Sequence, residues 1–283
     1  MGWRDQAVAT ILAAGFTAGC GAVGVGAQQQ ANPIACGGDA VARGTVNQII
    51  DGRTFRFDDG REVRLAAVEV PLPILPQQPA AAPGGAEARA ALDALVGGDD
   101  VVLRRAPLAS DRYGRLVGYA YALRDGDELF AQGELIASGF ARVGDSVGGR
   151  PCATELLHHE AGARDAKLGL WADGYYDVLD AEKPSDVLAQ RGRFALVEGK
   201  VLSVRESGPI VYVNFGQRWS EGFAVTVLKR NERNFAAAGL DLKSLEGRRV
   251  RVRGWIEQRG AAGSPGIEAA HPEQIEIAEL KRP

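Results

Sequence analysis

Short runs of alternating apolar and polar residues begin at about residue 44. Residues 45–50, 54–57 and 62–65 each alternate with a period of two, and Asp-Gly and Asp-Asp-Gly turns separate them. This period is typical of half-buried strands, and the turn residues favour tight reversals of the chain. The pattern predicts a three-stranded antiparallel meander.

The next 100 residues mix helical and strand patterns. Residues 71–85 are rich in Pro, Ala and Gln and predict a loop. Helices are predicted at residues 86–96, 129–138 and 153–167, and strands at 101–103 and 116–121. The order of three strands, a helix, two strands and two helices predicts a small antiparallel barrel with helices packed beside it.

A second strand-rich region follows a polar, irregular stretch at residues 172–190, which we interpret as a linker. Strands are predicted at residues 194–205, 210–215, 223–228, 249–257 and 266–277, with a helix at 231–238. Three strands, a helix and two strands are the order of an OB-type five-stranded barrel. The predicted fold class is therefore mainly β with helices, in two barrels without a sequence repeat between them.

Length and composition agree with this division. A chain of 283 residues, 46% hydrophobic and 24% charged, fits two globular domains and a leader. The net charge of −3 is unevenly distributed: residues 191–283 hold 16 Lys and Arg against 11 Asp and Glu, or +5, which leaves −8 for residues 1–190. The basic second region favours a polyanionic partner, although ordinary solvated charge explains it equally well.

The amino terminus has the features of an export signal. One basic residue precedes a small, apolar run, and small residues end at Ala27 before Gln28, so residues 1–27 are predicted to be a signal peptide. The run is too short and too glycine-rich for a membrane span, and no transmembrane span is predicted in the mature chain. Thr17-Ala18-Gly19-Cys20 offers an alternative, a lipid anchor at Cys20. We expect a periplasmic or secreted protein.

Cysteine usage agrees with export. Cleavage after Ala27 removes Cys20 and leaves Cys36 and Cys152, which an oxidising compartment would allow to pair. We predict a disulfide that ties the mature amino terminus to the start of a later helix. Two separate buried thiols are the alternative.

Several motifs in the first region occur in the same order as in a known family. They are Ile50-Asp51-Gly52, Thr54-Phe55, Val63-Arg64-Leu65, Val68-Glu69-Val70-Pro71, Asp111-Arg112-Tyr113-Gly114-Arg115, Gly139-Phe140-Ala141-Arg142-Val143 and Gly169-Leu170-Trp171. Together they resemble the staphylococcal nuclease (thermonuclease) family, whose fold is an OB barrel with helices. The resemblance implies a thermonuclease-like domain at residues 44–171, after an extension at 28–43. Linker 172–190 and an OB-like domain at 191–283 complete the division.

The resemblance also implies a set of roles. In the family, two aspartates and a main-chain carbonyl hold a calcium ion beside the phosphate, a glutamate activates water and two arginines clamp the phosphate. Such a set stabilises the negative charge of the transition state. Arg64 and Arg115 match the clamp, and Tyr113 with Arg112 matches the substrate contacts.

The metal and base positions depart from the family. Arg53 stands where the second aspartate of Asp-Gly-Asp-Thr is expected, and Leu72 stands where the glutamate after Pro71 is expected. Asp51 and Glu69 remain as candidate ligands, but Arg53 would repel calcium. Loss of a positioned general base costs about 10²- to 10⁴-fold in rate. The resemblance therefore predicts an intact phosphate grip and an impaired nuclease site.

Three arginines define a candidate nucleic-acid face in the second region. Arg249, Arg251 and Arg253 alternate with valines and so share one face of a strand, and Trp219 lies among nearby aromatic residues. OB folds grip single strands with such charges and rings. A solvated basic face over an aromatic core is the alternative.

Three functions fit these patterns. The preferred one is an exported protein that binds nucleic acid or another phosphodiester ligand through a degenerate nuclease site. The second is an active metal-dependent phosphodiesterase that uses Glu69 and the two arginines. The third is an envelope interaction protein without catalysis, in which the arginines form ion pairs with Glu62, Glu69 or Asp51.

Overall fold

A computed structural model describes residues 36–71, 82–218, 221–260 and 263–278. These residues fall within one compact unit. The predicted signal peptide, Cys20, Leu72 and Trp219 lie outside the described residues. Within the described ranges, no helix is long and apolar enough to cross a membrane.

The first half consists mainly of strands. They are β1 (Ala40–Asp51), β2 (Thr54–Phe57), β3 (Glu62–Leu65), β4 (Val68–Glu69), β5 (Asp100–Ser110), β6 (Leu116–Arg124), β7 (Asp127–Phe130) and β8 (Arg142–Val143). The helices are α1 (Gly85–Val96), α2 (Ala131–Ala137) and α3 (Arg150–Asp165). The predicted class, mainly β with helices, is confirmed.

Five of these strands pair in a closed cycle. β1 pairs with β2, β2 with β3, β5 with β6 and β5 with β1, all antiparallel, while β3 pairs with β6 in parallel. β7 continues the sheet beyond β6, and β4 pairs with β8 as a separate two-stranded sheet. The alternation predicted for β2 and β3 is present, since Phe55, Phe57, Val63 and Leu65 are all buried.

The second half has two sheets. Its strands are β9 (Leu179–Asp180), β10 (Phe194–Lys200), β11 (Ser203–Ser207), β12 (Ile210–Asn214), β13 (Ala224–Leu228), β14 (Arg249–Trp255), β15 (Glu257–Arg259), β16 (Ser264–Glu268) and β17 (Ile275–Ile277). The helices are α4 (Pro184–Ala189) and α5 (Lys229–Ala237). The sheet orders are β17-β14-β10-β9 and β11-β12-β13-β16-β15.

Three strands predicted as continuous are interrupted. The predicted strand 194–205 bends between β10 and β11, where the Val201 N–H donates to Arg248 and the Leu202 N–H donates to Asn214. The strand 249–257 breaks at Ile256, and 266–277 contains a 3₁₀ turn (Pro272–Gln274) between β16 and β17. Each bend passes the chain from one sheet toward the other, which alternation alone does not reveal.

The predicted boundaries also need correction. β1 begins at Ala40, inside the predicted extension, and the predicted helix 129–138 starts only at Ala131, after β7. The linker is not irregular, because it contains β9, which pairs in parallel with β10, and α4. Ala181 and Val187 from this segment belong to the apolar core of the second half. Their packing outweighs the polar local composition.

The predicted disulfide is confirmed. Cys36 is bonded to Cys152 in the first turn of α3. Both residues are buried in the core of the first half. The bond therefore anchors the segment that leads into β1 to a helix 116 positions further along the chain.

Candidate functional site

A cavity of about 280 Å³ opens where β3 and β4 end. Its walls come from residues 64–69, residues 106–108 with Asp111, Val117 of β6 and the loop that follows β8. Arg64, Glu69, Asp111 and Asp145 bring charge to it. Between β3 and β4, Ala67 has a φ of 62°, and its carbonyl accepts a hydrogen bond from the Gly144 N–H at 2.8 Å. This contact joins two walls of the cavity.

Arg64 is the cation that lines this cavity. In the β2–β3 pairing it lies opposite Thr54, next to Arg53, and in the β3–β6 pairing it lies opposite Val117, two residues beyond Arg115. Burial lowers the pKa of Arg64, and nearby Arg53 and Arg115 lower it further, whereas Glu69 and Asp111 oppose the shift. The fold thus gathers residues from three separate motifs around Arg64.

Arg115 is held by its own turn. Its Nε donates to Asp111 Oδ2 at 2.7 Å, and Asp111 Oδ1 accepts the backbone N–H groups of Tyr113 and Arg115. Burial alone would raise the pKa of Asp111, but these hydrogen bonds and the charge of Arg115 bring it below its usual value. Part of the Arg115 guanidinium is therefore already engaged before any ligand arrives.

Tyr113 and Arg112 project outward beside Arg115. The Tyr113 side chain is 67% exposed, and the Arg112 Nη2 donates to its hydroxyl at 2.6 Å. The guanidinium carbons of Arg112 and Arg115 lie 4.8 and 5.2 Å from the centre of the Tyr113 ring. The structure brings both predicted substrate contacts next to Arg115, at the surface.

Arg53 forms a buried ion pair with Glu69. The Arg53 Nη1 lies 2.6 Å from Glu69 Oε2, and the two side chains are only 7% and 11% exposed. The backbone N–H of Arg53 also donates to Asp51 Oδ1 at 2.9 Å. Both predicted metal ligands are therefore engaged by Arg53.

Arg142 is a second cation beside Glu69, with no role proposed from the sequence. β4 and β8 pair so that Glu69 lies opposite Arg142. Burial lowers the pKa of Arg142, and Glu69 opposes that shift. Its guanidinium carbon lies 5.0 Å from the ring centres of both Tyr176 and Phe194. An arginine in the apolar stretch 140–143 was the only sequence signal.

The donors present do not fit a calcium ion. A hard cation needs several oxygens with free lone pairs, yet Glu69 is neutralised by Arg53 and lies next to Arg142. Among the described residues, no group of three or more His, Cys, Asp or Glu could hold a metal ion. The guanidinium of Arg53 supplies the positive charge here.

The predicted nucleic-acid face of the second half is wrong for Arg253. Its side chain is fully buried and donates to both carboxylate oxygens of Glu160, at 3.0 and 2.7 Å. Arg249 and Arg251 both donate to Glu198, at 2.7 and 2.6 Å. The arginines do share one face of β14, but carboxylates of the same chain neutralise that face.

Part of the first half is similar to a known family of domains. Residues 62–173 match the family model described as staphylococcal nuclease homologue. The chain therefore contains a staphylococcal nuclease-like domain, and Arg64, Glu69, Asp111 and Arg115 all lie inside the matched segment. No curated protein matches the chain.

Proposed function

We propose that the first half binds a phosphodiester, such as a nucleic-acid strand, or another phosphate-bearing ligand at Arg64, without a metal ion. One observation carries the proposal. Glu62 pairs with Arg56, Glu69 with Arg53 and Asp111 with Arg115, so each of these three carboxylates already has its arginine. Asp145, which also lines the cavity, is exposed to solvent. Within the described residues no carboxylate pairs with Arg64. A half-buried guanidinium in a cavity is suited to bidentate phosphate binding.

Hydrolysis is not part of this proposal. Glu69, the candidate metal ligand that also lines the cavity, is held by Arg53 in a buried ion pair and is not free to activate water. Leu72 has no ionisable group to serve as a base. We therefore propose a binding protein with an impaired nuclease site. Arg115 is in an ion pair with Asp111, as the third function expects of the arginines, so we assign the phosphate contact to Arg64 and not to Arg115.

We also propose that both halves are OB-like barrels. If β10 with β11 and β14 with β15 each count as one bent strand, the second half has the same cycle of pairings as the first. In both, the third and fifth strands are parallel and the other neighbours antiparallel.

We further propose that the protein is exported to the periplasm or the medium, either soluble or lipid-anchored at Cys20. The disulfide supports it, because such bonds persist in oxidising compartments.

Replacing Arg64 with alanine tests the binding site. We expect the affinity for fluorescein-labelled single-stranded DNA or RNA, measured by anisotropy in EDTA, to fall about 10- to 100-fold, because a hydrogen-bonded charge is lost. Arg230→Ala removes the same charge from α5 and should have little effect. Wild-type binding should weaken as salt rises. Equal affinity of Arg64→Ala and wild type would contradict the proposal, and metal-dependent cleavage by wild type would favour the enzyme alternative.

Replacing Arg53 with aspartate tests the metal-free interpretation. In the absence of calcium, the variant should unfold at a lower temperature, since Asp51, Glu69 and the new carboxylate repel one another. Calcium should then raise the melting temperature of Arg53→Asp and leave that of wild type unchanged. Differential scanning calorimetry with calcium and with EDTA measures both. An equal calcium-dependent rise in wild type would show that its site does hold the ion.

A further inference from the structure

One wall of the phosphate cavity is the loop between β8 and α3, residues 144–149. Gly144, Asp145 and Ser146 line the cavity directly. Gly148 and Gly149 follow with φ values of 80° and 141°, a region that glycine enters freely and other residues rarely adopt. A segment with three glycines in six positions has little conformational preference of its own. Contacts from elsewhere in the fold must set its shape.

The first half supplies two of these contacts. The Gly144 N–H donates to Ala67 O at 2.8 Å, and the Tyr119 hydroxyl donates to Val147 O. Burial raises the pKa of Tyr119 to about 12, with a smaller contribution from Glu273. The hydroxyl therefore remains a proton donor at neutral pH. These bonds fix the loop on the side that faces β6.

The second half supplies the contacts on the other side. Glu273, in the 3₁₀ turn before β17, accepts the Val147 N–H at 3.1 Å, and Arg150 Nη1, at the start of α3, donates to Ala238 O at 3.2 Å. The backbone of Val147 is thus held on both sides: Tyr119 donates to its carbonyl, and Glu273 accepts its N–H.

The strand that precedes the loop is held in the same way. Arg142 Nη1 donates to Phe194 O at 2.9 Å, and Arg253 Nη1 donates to Val143 O at 3.1 Å. Glu160 accepts the Val143 N–H at 2.8 Å. β8 pairs with β4, which carries Glu69. The second half is therefore bonded to both residues of β8 and to the loop beyond it.

We propose that the second half braces this wall of the phosphate cavity, with Glu273 as a positioning residue that holds Val147. The proposal rests on the proposed phosphate site for its effect on affinity. It gives the second half an intramolecular role in place of the nucleic-acid face predicted from the three arginines of β14. Glu273 bonds to Val147 and acts on the cavity through the loop.

The test compares Glu273→Ala with Glu273→Gln. Alanine removes the acceptor, whereas glutamine retains an oxygen for the Val147 N–H. In Glu273→Ala we expect the Val147 amide to exchange with deuterium about tenfold faster and the affinity for labelled single-stranded DNA to fall about three- to tenfold, as for one lost hydrogen bond. Glu273→Gln should restore both values toward wild type. Glu232→Ala, which removes a carboxylate from α5, should change neither.

The two measurements separate the brace from the binding site. An unchanged Val147 exchange rate in Glu273→Ala would overturn the proposal, as would faster exchange with unchanged affinity. If wild type binds no oligonucleotide, the proposed phosphate site fails, and the exchange rates still decide whether Glu273 braces the loop. Urea midpoints of all variants are measured alongside, since a brace lost locally leaves the global unfolding midpoint close to that of wild type.

Discussion

Replacing Arg253 with methionine is expected to lower the free energy of unfolding by about 3–5 kcal/mol, because the buried carboxylate of Glu160 loses both hydrogen bonds to Arg253 and keeps the more distant Arg164, at 3.5 Å. Arg253 and Glu160 are both 0% exposed and share two hydrogen bonds. Arg253 also bonds to Glu276 and to Val143 O. Urea denaturation followed by circular dichroism measures the loss. Arg230→Met on exposed α5 is the matched control and should cost little.

The loss should depend on pH in a definite direction. In wild type, burial alone would raise the pKa of Glu160, but Arg253 overrides that and holds it below the usual value. The pair therefore contributes stability above the unfolded-state pKa of about 4.3, and this contribution is lost as pH falls through the lower folded pKa. In Arg253→Met the largest lowering contribution is lost, so the pKa of Glu160 should rise from its wild-type value and protonation should relieve the variant. The difference between the two proteins should shrink on acidification.

A second substitution checks the cause. Arg253→Met combined with Glu160→Gln removes the buried negative charge and keeps an oxygen for the Val143 N–H. It should recover part of the stability lost in the single variant. A single-variant loss below about 1 kcal/mol, within the usual range for surface pairs, would contradict the burial of this pair.

Removing the disulfide should have an effect of similar size. Cys36→Ser with Cys152→Ser is expected to cost about 2–5 kcal/mol, because a cross-link across a loop of this length strongly restricts the unfolded chain. The two cysteines are 116 positions apart and both buried. Urea unfolding of the double variant, of wild type and of wild type reduced with dithiothreitol measures the cost.

One control accompanies this experiment. Reduced wild type separates the loss of the cross-link from the cost of burying two hydroxyl groups. If reduction left the urea midpoint of wild type unchanged, the disulfide would have no part in stability.

The predictions that held depend on neighbouring residues. Alternation placed β2 and β3 at the residues where the structure has them, and Phe55, Phe57, Val63 and Leu65 are the buried apolar positions, although Thr54 is buried as well. The pairing of Cys36 with Cys152 followed from there being two cysteines to pair once the predicted leader is set aside.

The predictions that failed concern contacts between residues that are far apart in the sequence. Alternation put Arg249, Arg251 and Arg253 on one side of β14, and they are there. Their partners Glu198 and Glu160 lie 51 to 93 positions away in the chain, in β10 and α3. Likewise, the polar linker becomes β9 and α4 because the second core buries its few apolar residues.

The sequence by itself determined the strand-rich class and the cysteine pair, and it places Arg53 and Leu72 where the resemblance implies a metal ligand and a base. Local periodicity and contiguous motifs encode these features, because they depend on side chains within a few positions of one another. Only the tertiary structure decided that Arg64 lacks a described carboxylate partner, that Arg53 forms a buried ion pair with Glu69 and that the second half bonds to the cavity wall. Such features depend on which distant charges are brought into contact, and burial makes those contacts strong.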